Sequence, residues 1–373
     1  MARAYRRHMK IAIDARLYGL HHRGLGRYLI ELVKGLIATG TKHQYFLLID
    51  PKAQSSLPSL PKHFITVAAP YRVYSLAEQT KLPRMINRLQ PDLVHFTHFS
   101  APYFCPAPFV VTIHDLILHH APTERATHLP SALYWSKIAA YHLLLKRLVK
   151  KARHVITVSQ TVATDLKKCY PQAVGKTSTI YQGVSPLPPG QALVPSPPYL
   201  LAVGATYPHK NIERAVAAVA MVRQQYPKLE LWLAGRIDFF ADKLKSWLRQ
   251  QGYLTWVKFL GEVSDADLAA LYRGSQAYLL PSLEEGFGLG ALEALACGTV
   301  VVAADIPALR EVLGPEGALF VEPTNTLALA AAISKIMDDD FRSDLKRAAQ
   351  PILARYSWSD TVQQTLSVYE QAY

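Results

Sequence analysis

Ala277-Tyr278-Leu279-Leu280-Pro281-Ser282-Leu283-Glu284-Glu285-Gly286-Phe287-Gly288-Leu289-Gly290-Ala291-Leu292-Glu293-Ala294-Leu295-Ala296-Cys297-Gly298 reads as three signals in order. Ala277–Leu280 is a short apolar run of strand length, Pro281 to Gly288 a glycine-bearing loop, and Leu289–Ala296 a helix pattern. A strand that feeds such a loop and then a helix places free N–H groups and the positive end of the helix dipole at the loop. That is a site for a diphosphate or an array of sugar hydroxyls. Gly286, Gly288 and Gly290 permit positive φ and close backbone approach. Glu285 stands in the loop and Glu293 eight residues on, too far for one helical face, so the two suit different parts of one ligand.

The same alternation extends both ways. Upstream, Tyr199–Val203, Leu229–Ala234 and Val257–Leu260 read as strands, and Asn211–Gln225, Phe240–Gln251 and Asp265–Tyr272 as helices; Val300–Ala303 is the next strand downstream. In the first half the strand runs are Lys10–Ile13, Tyr45–Ile49, Phe64–Val67, Leu93–Phe96, Phe109–Ile113 and His154–Val158, with helices at Tyr28–Ala38 and Leu133–Lys151. Strands alternating with helices imply parallel sheets covered on both faces. Between the halves, Pro186, Pro188, Pro189, Pro195, Pro197 and Pro198 exclude helix and central strand and predict a stiff, extended connection. The division expected is a first domain over 1–187, a linker over 188–198, a second domain over 199–356 and a terminal helix over 357–373.

Composition narrows the class. A 373-residue chain with half its residues hydrophobic and 18% charged is globular and suits two domains. The apolar run near the start is too short for a signal-peptide core, and no run is long enough to span a membrane, so a cytoplasmic protein is expected. Three scattered cysteines (Cys105, Cys169 and Cys297) form neither a metal pattern nor a disulfide framework. A formal net charge of +13 attracts polyanions: nucleic acid, anionic membrane or phosphorylated substrates. Lys137–Arg153 is both basic and amphipathic, and reads either as a helix lying on an anionic membrane or as an ordinary helix packed on its sheet.

Four more segments carry chemistry. Lys210, in Val203-Gly204-Ala205-Thr206-Tyr207-Pro208-His209-Lys210-Asn211, stands at the start of a helix, where a lysine suits a phosphate. Gly24 and Gly26, in Arg23-Gly24-Leu25-Gly26-Arg27-Tyr28, fit a strand-to-helix turn. His114 ends the strand run Val110-Val111-Thr112-Ile113, and His95 and His98 close the preceding one. Arg236 follows the strand Leu229–Ala234, and Val263 lies in Leu260-Gly261-Glu262-Val263-Ser264.

Together these motifs resemble glycosyltransferase family 4, a family of retaining enzymes that includes mannosyl- and glucosyltransferases of polysaccharide assembly. Pro281-Ser282…Glu285-Gly286-Phe287-Gly288-Leu289…Glu293-Ala294…Cys297-Gly298 is close to the family's Glu-x7-Glu signature, and the likeness extends from Ile11 to about Tyr356. The resemblance implies an α/β chain of the GT-B type: two facing Rossmann-like domains with a C-terminal helix crossing back to the first. It gives Glu285 the donor-sugar hydroxyls, Glu293 the ribose, Lys210 the donor diphosphate and His114 the face of the transferred sugar. Gly24, Gly26, Gly286, Phe287, Gly288 and Leu289 become donor-loop positions, and Val263 a main-chain contact to the base. Many members carry an arginine near the lysine; here Ala205, Thr206 and His209 occupy those places, which leaves Arg236 as the candidate second phosphate cation.

The expected activity is transfer of a hexose, mannose or glucose favoured, from a GDP- or UDP-linked donor, with retention and without a metal or other cofactor. The acceptor expected is a glycan, lipid-linked or other hydroxyl, with an anionic membrane face, on the inner side, as a candidate partner. No nucleic-acid motif stands out. A nucleotide-sugar epimerase or a phosphorylase on the same plan, and a non-enzymatic nucleotide-sugar or nucleic-acid binding protein, are the alternatives. A dinucleotide oxidoreductase is disfavoured because Gly24-Leu25-Gly26 lacks the third glycine.

Overall fold

The computed structural model describes residues 8–120, 122–124, 127, 129–188 and 197–373. The basic first residues up to 7 and most of the proline-dense connection, 189–196, lie outside them. The chain forms two units. One comprises Met1–Leu116, Trp135–Gly183 and Trp358–Tyr373; the other comprises Ile117–Tyr134 and Val184–Ser357.

The first unit is built on seven strands: β1 (Lys10–Ala15), β2 (Gln44–Ile49), β3 (Phe64–Ala68), β4 (Leu93–Phe96), β5 (Phe109–Ile113), β6 (His154–Thr157) and β7 (Thr177–Thr179). All neighbours pair in parallel, in the order β3-β2-β1-β4-β5-β6-β7. Alternate residues serve opposite faces, as the two-residue period requires. Ile11, Ile13, Tyr45, Leu47 and Val110 enter one buried cluster, whereas Ala12, Phe46, Leu48, Phe109 and Val111 enter the other.

The C-terminal helix, Trp358–Ala372, belongs to this unit and buries Val362, Val368 and Tyr369 in the first cluster. Gly35 makes room for it: a Cβ there would stand 2.4 Å from Val362. The helix Ser131–Lys151 crosses from the second unit to the first. It turns Tyr141, Leu145, Leu148 and Val149 into the core, which is the stripe of a helix packed on its sheet. Lys146 and Lys150 remain exposed beside Leu143.

The second unit has six strands, all parallel: β8 (Tyr199–Val203), β9 (Glu230–Ala234), β10 (Val257–Gly261), β11 (Ala277–Leu280), β12 (Val301–Ala304) and β13 (Leu319–Val321). Their order is β10-β9-β8-β11-β12-β13. Two of the helices between them start on side-chain caps: Asp238 accepts from the N–H groups of Phe240 and Ala241, and Ser264 from that of Asp267. In both sheets the order reverses beside the first strand of the unit, between β1 and β4 and between β8 and β11. The loops leaving the carboxyl ends of such a pair diverge and leave a crevice, the habitual ligand site of a doubly wound sheet. Among the described residues, no helix is long and apolar enough to cross a membrane.

Candidate functional site

In the second unit the loop after β8 carries Lys210 and the loop after β11 carries Glu285, and the crevice brings them together. Lys210 Nζ donates to Glu285 Oε1 at 2.6 Å, and the Ser282 hydroxyl donates to the same oxygen at 2.7 Å. The loops are also tied by backbone: the Leu283 N–H donates to the His209 carbonyl at 2.7 Å. Asn211, left-handed at φ 58, sends its amide to the Pro281 and Pro323 carbonyls. A pocket between the loops is lined by Val203, Gly204, Thr206, Lys210, Pro281 and Ser282. The Thr206 hydroxyl is buried there without a hydrogen-bond partner among the described residues.

Electrostatics keep Glu285 ionised. Burial pushes the Glu285 carboxyl upward, but the charge and hydrogen bond of Lys210 and the Ser282 hydroxyl outweigh it and hold it below the ordinary carboxylate range. Burial, helped by Lys210, lowers His209 to about 4, so at neutral pH this imidazole adds no cation. The lysine side chain is 23% exposed, in reach of a ligand.

Of the three glycines in the following loop, Gly288 takes the left-handed conformation, φ 84, at the cap of the helix Leu289–Ala296. Gly290 lies within the first turn, where a Cβ would meet the Tyr278 hydroxyl at 2.8 Å. Phe287 is buried with its ring edge-on to Tyr356, so its main chain is what the loop offers. Leu289 and Glu293 are partly exposed on this helix, and Val263 is partly exposed in the loop after β10. Arg236, after β9, is exposed.

In the first unit the helix expected at Tyr28 begins at Arg23. Gly24 and Gly26 therefore lie within its first turn rather than in a turn preceding it. The two differ: a Cβ on Gly26 would overlap the Gly19 carbonyl oxygen at 1.8 Å, whereas one on Gly24 meets nothing within 4 Å.

His114 follows β5 and is buried, with Nε2 2.9 Å from the Thr97 carbonyl oxygen and Nδ1 3.3 Å from the Gln182 amide nitrogen. Tyr28 meets its ring edge-on, centroids 4.9 Å apart. Burial lowers His114 to about 4, with the Thr97 carbonyl opposing.

His95 does not line any surface. It is fully buried, hydrogen-bonded through Nδ1 to Tyr369 Oη at 2.7 Å and through Nε2 to Thr112 Oγ1 at 2.8 Å. A strand-end histidine on β4 points inward here because the C-terminal helix supplies its partner.

A further cluster had no signal in the sequence beyond the pair Asp14 and Arg16. The Arg16 guanidinium, 4% exposed, grips both oxygens of Asp14 at 2.8 and 2.7 Å and Glu78 Oε1 at 2.8 Å, and donates to the Tyr71 and Ser100 carbonyls. Burial alone would lower its pKa, but Asp14 and Glu78 outweigh that and raise it. Glu78 is remote in sequence, and only the fold reveals it. The alternating charge Asp14-Ala15-Arg16 at the end of an apolar strand was the available hint.

The family model described as glycosyl transferases group 1 matches residues 188–351, and that described as glycosyltransferase family 4 matches residues 22–186. The O-antigen chain mannosyltransferase RfbU of Salmonella typhimurium is 34% identical over 65% of this chain and 64% of its own length. The chain thus spans a little under two thirds of that relative. Sucrose-phosphate synthase of Thermosynechococcus elongatus superposes with a TM-score of 0.78 at 22% identity, covering 97% of this chain and 98% of that one. HepE of Anabaena, solved with UDP and glucose, gives 0.72 at 20% identity over 97% and 100%. Both show the same fold.

Proposed function

The chain belongs to glycosyltransferase family 4, and from that premise we propose that it moves a hexose, mannose or glucose, from a GDP- or UDP-linked donor to a hydroxyl of a glycan or lipid-linked acceptor, with retention of configuration. The observation that carries this reading is the Lys210–Glu285 pair at the strand-order reversal of the second unit. A cation and a carboxylate held side by side match the two ends of a sugar diphosphate. Lys210 neutralises charge on the departing diphosphate, and Glu285 accepts hydrogen bonds from sugar hydroxyls. Glu293, partly exposed on the second turn of the following helix, is assigned to the ribose. The unpartnered Thr206 hydroxyl and the exposed Arg236 supply further contacts to the phosphates. Gly286, Gly288 and Leu289 contribute main-chain N–H groups, Val263 a main-chain contact to the base, and Gly24 and Gly26 the first-turn amides of their helix.

In the reaction the bond from C1 of the sugar to the diphosphate oxygen breaks and a bond from C1 to the acceptor oxygen forms on the same face. The acceptor proton passes to the departing phosphate oxygen. The charge that grows on the diphosphate is met by Lys210 and the loop amides, and no metal or other cofactor enters this scheme. The mannosyltransferase relative favours mannose, and HepE, solved with UDP and glucose, supports a nucleotide-sugar donor. A cytoplasmic enzyme meeting its acceptor at the inner, anionic face of a membrane fits the +13 net charge and the exposed Lys146, Leu143 and Lys150.

The test is incubation of the enzyme with GDP-mannose or UDP-glucose and a panel of polyprenyl-diphosphate and oligosaccharide acceptors, in the presence of a chelator. The anomeric proton of the product is then read by NMR. An axial product from an axial donor linkage supports the proposal; an inverted anomer contradicts it.

A further inference from the structure

His114 is held from both sides, and the two partners differ in kind. The Thr97 carbonyl can only accept, so its 2.9 Å contact requires a proton on Nε2. The Gln182 amide nitrogen, 3.3 Å from Nδ1, can only donate, so Nδ1 must be the bare nitrogen. Gln182 is itself buried, in the loop that leaves β7. The ring plane is fixed further by the edge of Tyr28 at 81°. The Tyr28 hydroxyl lies 3.4 Å from Thr112 Oγ1, and a chain of contacts continues through His95 to Tyr369 of the C-terminal helix.

We propose that Gln182 is a positioning residue that locks His114 as the neutral Nε2–H tautomer, so that His114 meets a bound ligand as an uncharged ring and not as a proton carrier. Both ring nitrogens are committed before any ligand arrives. A histidine that must take or give a proton keeps one nitrogen open toward its partner; this one does not. The consequence for catalysis rests on the glycosyl-transfer reading. As the C1–oxygen bond breaks, positive charge grows on the sugar, and an imidazolium beside it would oppose that charge, whereas a neutral ring does not. The tautomer itself is independent of the reaction.

Gln182→Glu puts an acceptor of the same shape at Nδ1. The carboxylate demands a proton there while Thr97 keeps the one on Nε2, so the ring becomes an imidazolium held between two acceptors. The measurement is a long-range proton–nitrogen correlation spectrum of the full chain labelled with nitrogen-15 histidine, with His114 assigned by the signals lost in His114→Gln. The wild type should show one protonated and one bare ring nitrogen, the bare one Nδ1, unchanged from about pH 8 to 6. Gln182→Glu should show both nitrogens protonated. A wild-type ring protonated on Nδ1, or a bare Nδ1 in a folded Gln182→Glu protein, overturns the proposal; the wild-type spectrum decides even if that variant does not fold.

Transfer assays then read the consequence. Gln182→Glu should lower kcat roughly tenfold while the donor KM stays within about twofold. Unchanged kcat with a raised KM contradicts the catalytic consequence. A wild type that shows the expected tautomer but transfers no sugar counts against the proposed function and leaves the role of Gln182 standing.

Discussion

Each unit gathers polar groups where the strand order of its sheet reverses, and the two gatherings have opposite fates. In the first unit Arg16 is consumed by Asp14, Glu78 and two carbonyls, and His95 and His114 each have both ring nitrogens occupied. Those interactions fix loops. In the second unit, among the described residues, Lys210 and Glu285 hold each other and one serine, with the lysine partly exposed. The same topological position thus buries a cation among carboxylates in the first unit and leaves one partly exposed in the second. Burial of the cation separates the two.

The comparison breaks most visibly at Arg16. Arg16→Met strands two buried carboxylates, and loss of one partner from a buried ionic group costs about 3–5 kcal/mol. Urea denaturation should show that loss. A cost below about 1 kcal/mol would mean the cluster is solvated rather than structural.

Lys210→Ala should behave in the reverse manner. Removing one preorganised donor from a site of developing charge costs roughly 10²–10³ in kcat, while the denaturation midpoint moves less than in Arg16→Met, because the lysine is partly exposed and Glu285 keeps the Ser282 hydroxyl. Initial-rate kinetics beside the same denaturation series check both halves. A variant that unfolds early but transfers normally would reverse the contrast between the units.

Gly26 and Gly24 sharpen it at the backbone. Gly26→Ala drives a methyl into the Gly19 carbonyl and should destabilise by about 1–3 kcal/mol. Gly24→Ala meets open space and should be close to neutral in stability. Equal melting temperatures for the two variants would contradict the close approach.

The smallest contrast is in pH. His95, His98 and His114 have folded values of about 3, 3 and 4, lowered chiefly by burial. A histidine unperturbed in the unfolded chain titrates near ~6.5, so the unfolded chain binds more protons in between, and stability must rise with pH there. His209 of the second unit, at about 4, acts in the same direction, so the chain should hold full stability above that value and lose it progressively toward pH 4, the larger share coming from the three histidines of the first unit. Glu285, whose folded value is depressed, contributes above the ordinary carboxylate range and is lost only below it. Melting temperatures against pH should therefore fall between about pH 6.5 and 4, and His95→Phe should flatten the slope while Glu285→Gln leaves it unchanged.

Much of this was legible in the sequence because it is local. The strand runs at Tyr45–Ile49 and Phe109–Ile113 matched the observed strands to within a residue, and the loop from Pro281 to Gly288 announced itself by its glycines. What escaped was short or long-range. β7 and β13 are three residues each, too short for a period to show, and Leu76–Leu89 carries Pro83 inside it, which argues against helix on composition. Helix Gln160–Cys169 starts on a Ser159 cap that no apolar run marked. Glu78 and Gln182, which meet Arg16 and His114, are 62 and 68 residues away in sequence, and nothing in a glutamate or a glutamine says which remote group it will meet.

If Lys210 and Glu285 form a donor site, thermal shift with UDP-, GDP- and ADP-sugars on the wild type, Lys210→Ala and Glu285→Ala should reveal it. A ligand at 100 times its Kd adds about 2.7 kcal/mol of apparent stability. A clear rise in Tm with GDP- or UDP-sugars, lost in both variants, is expected. A folded wild type that responds to no nucleotide sugar, or variants that respond as the wild type does, would contradict it.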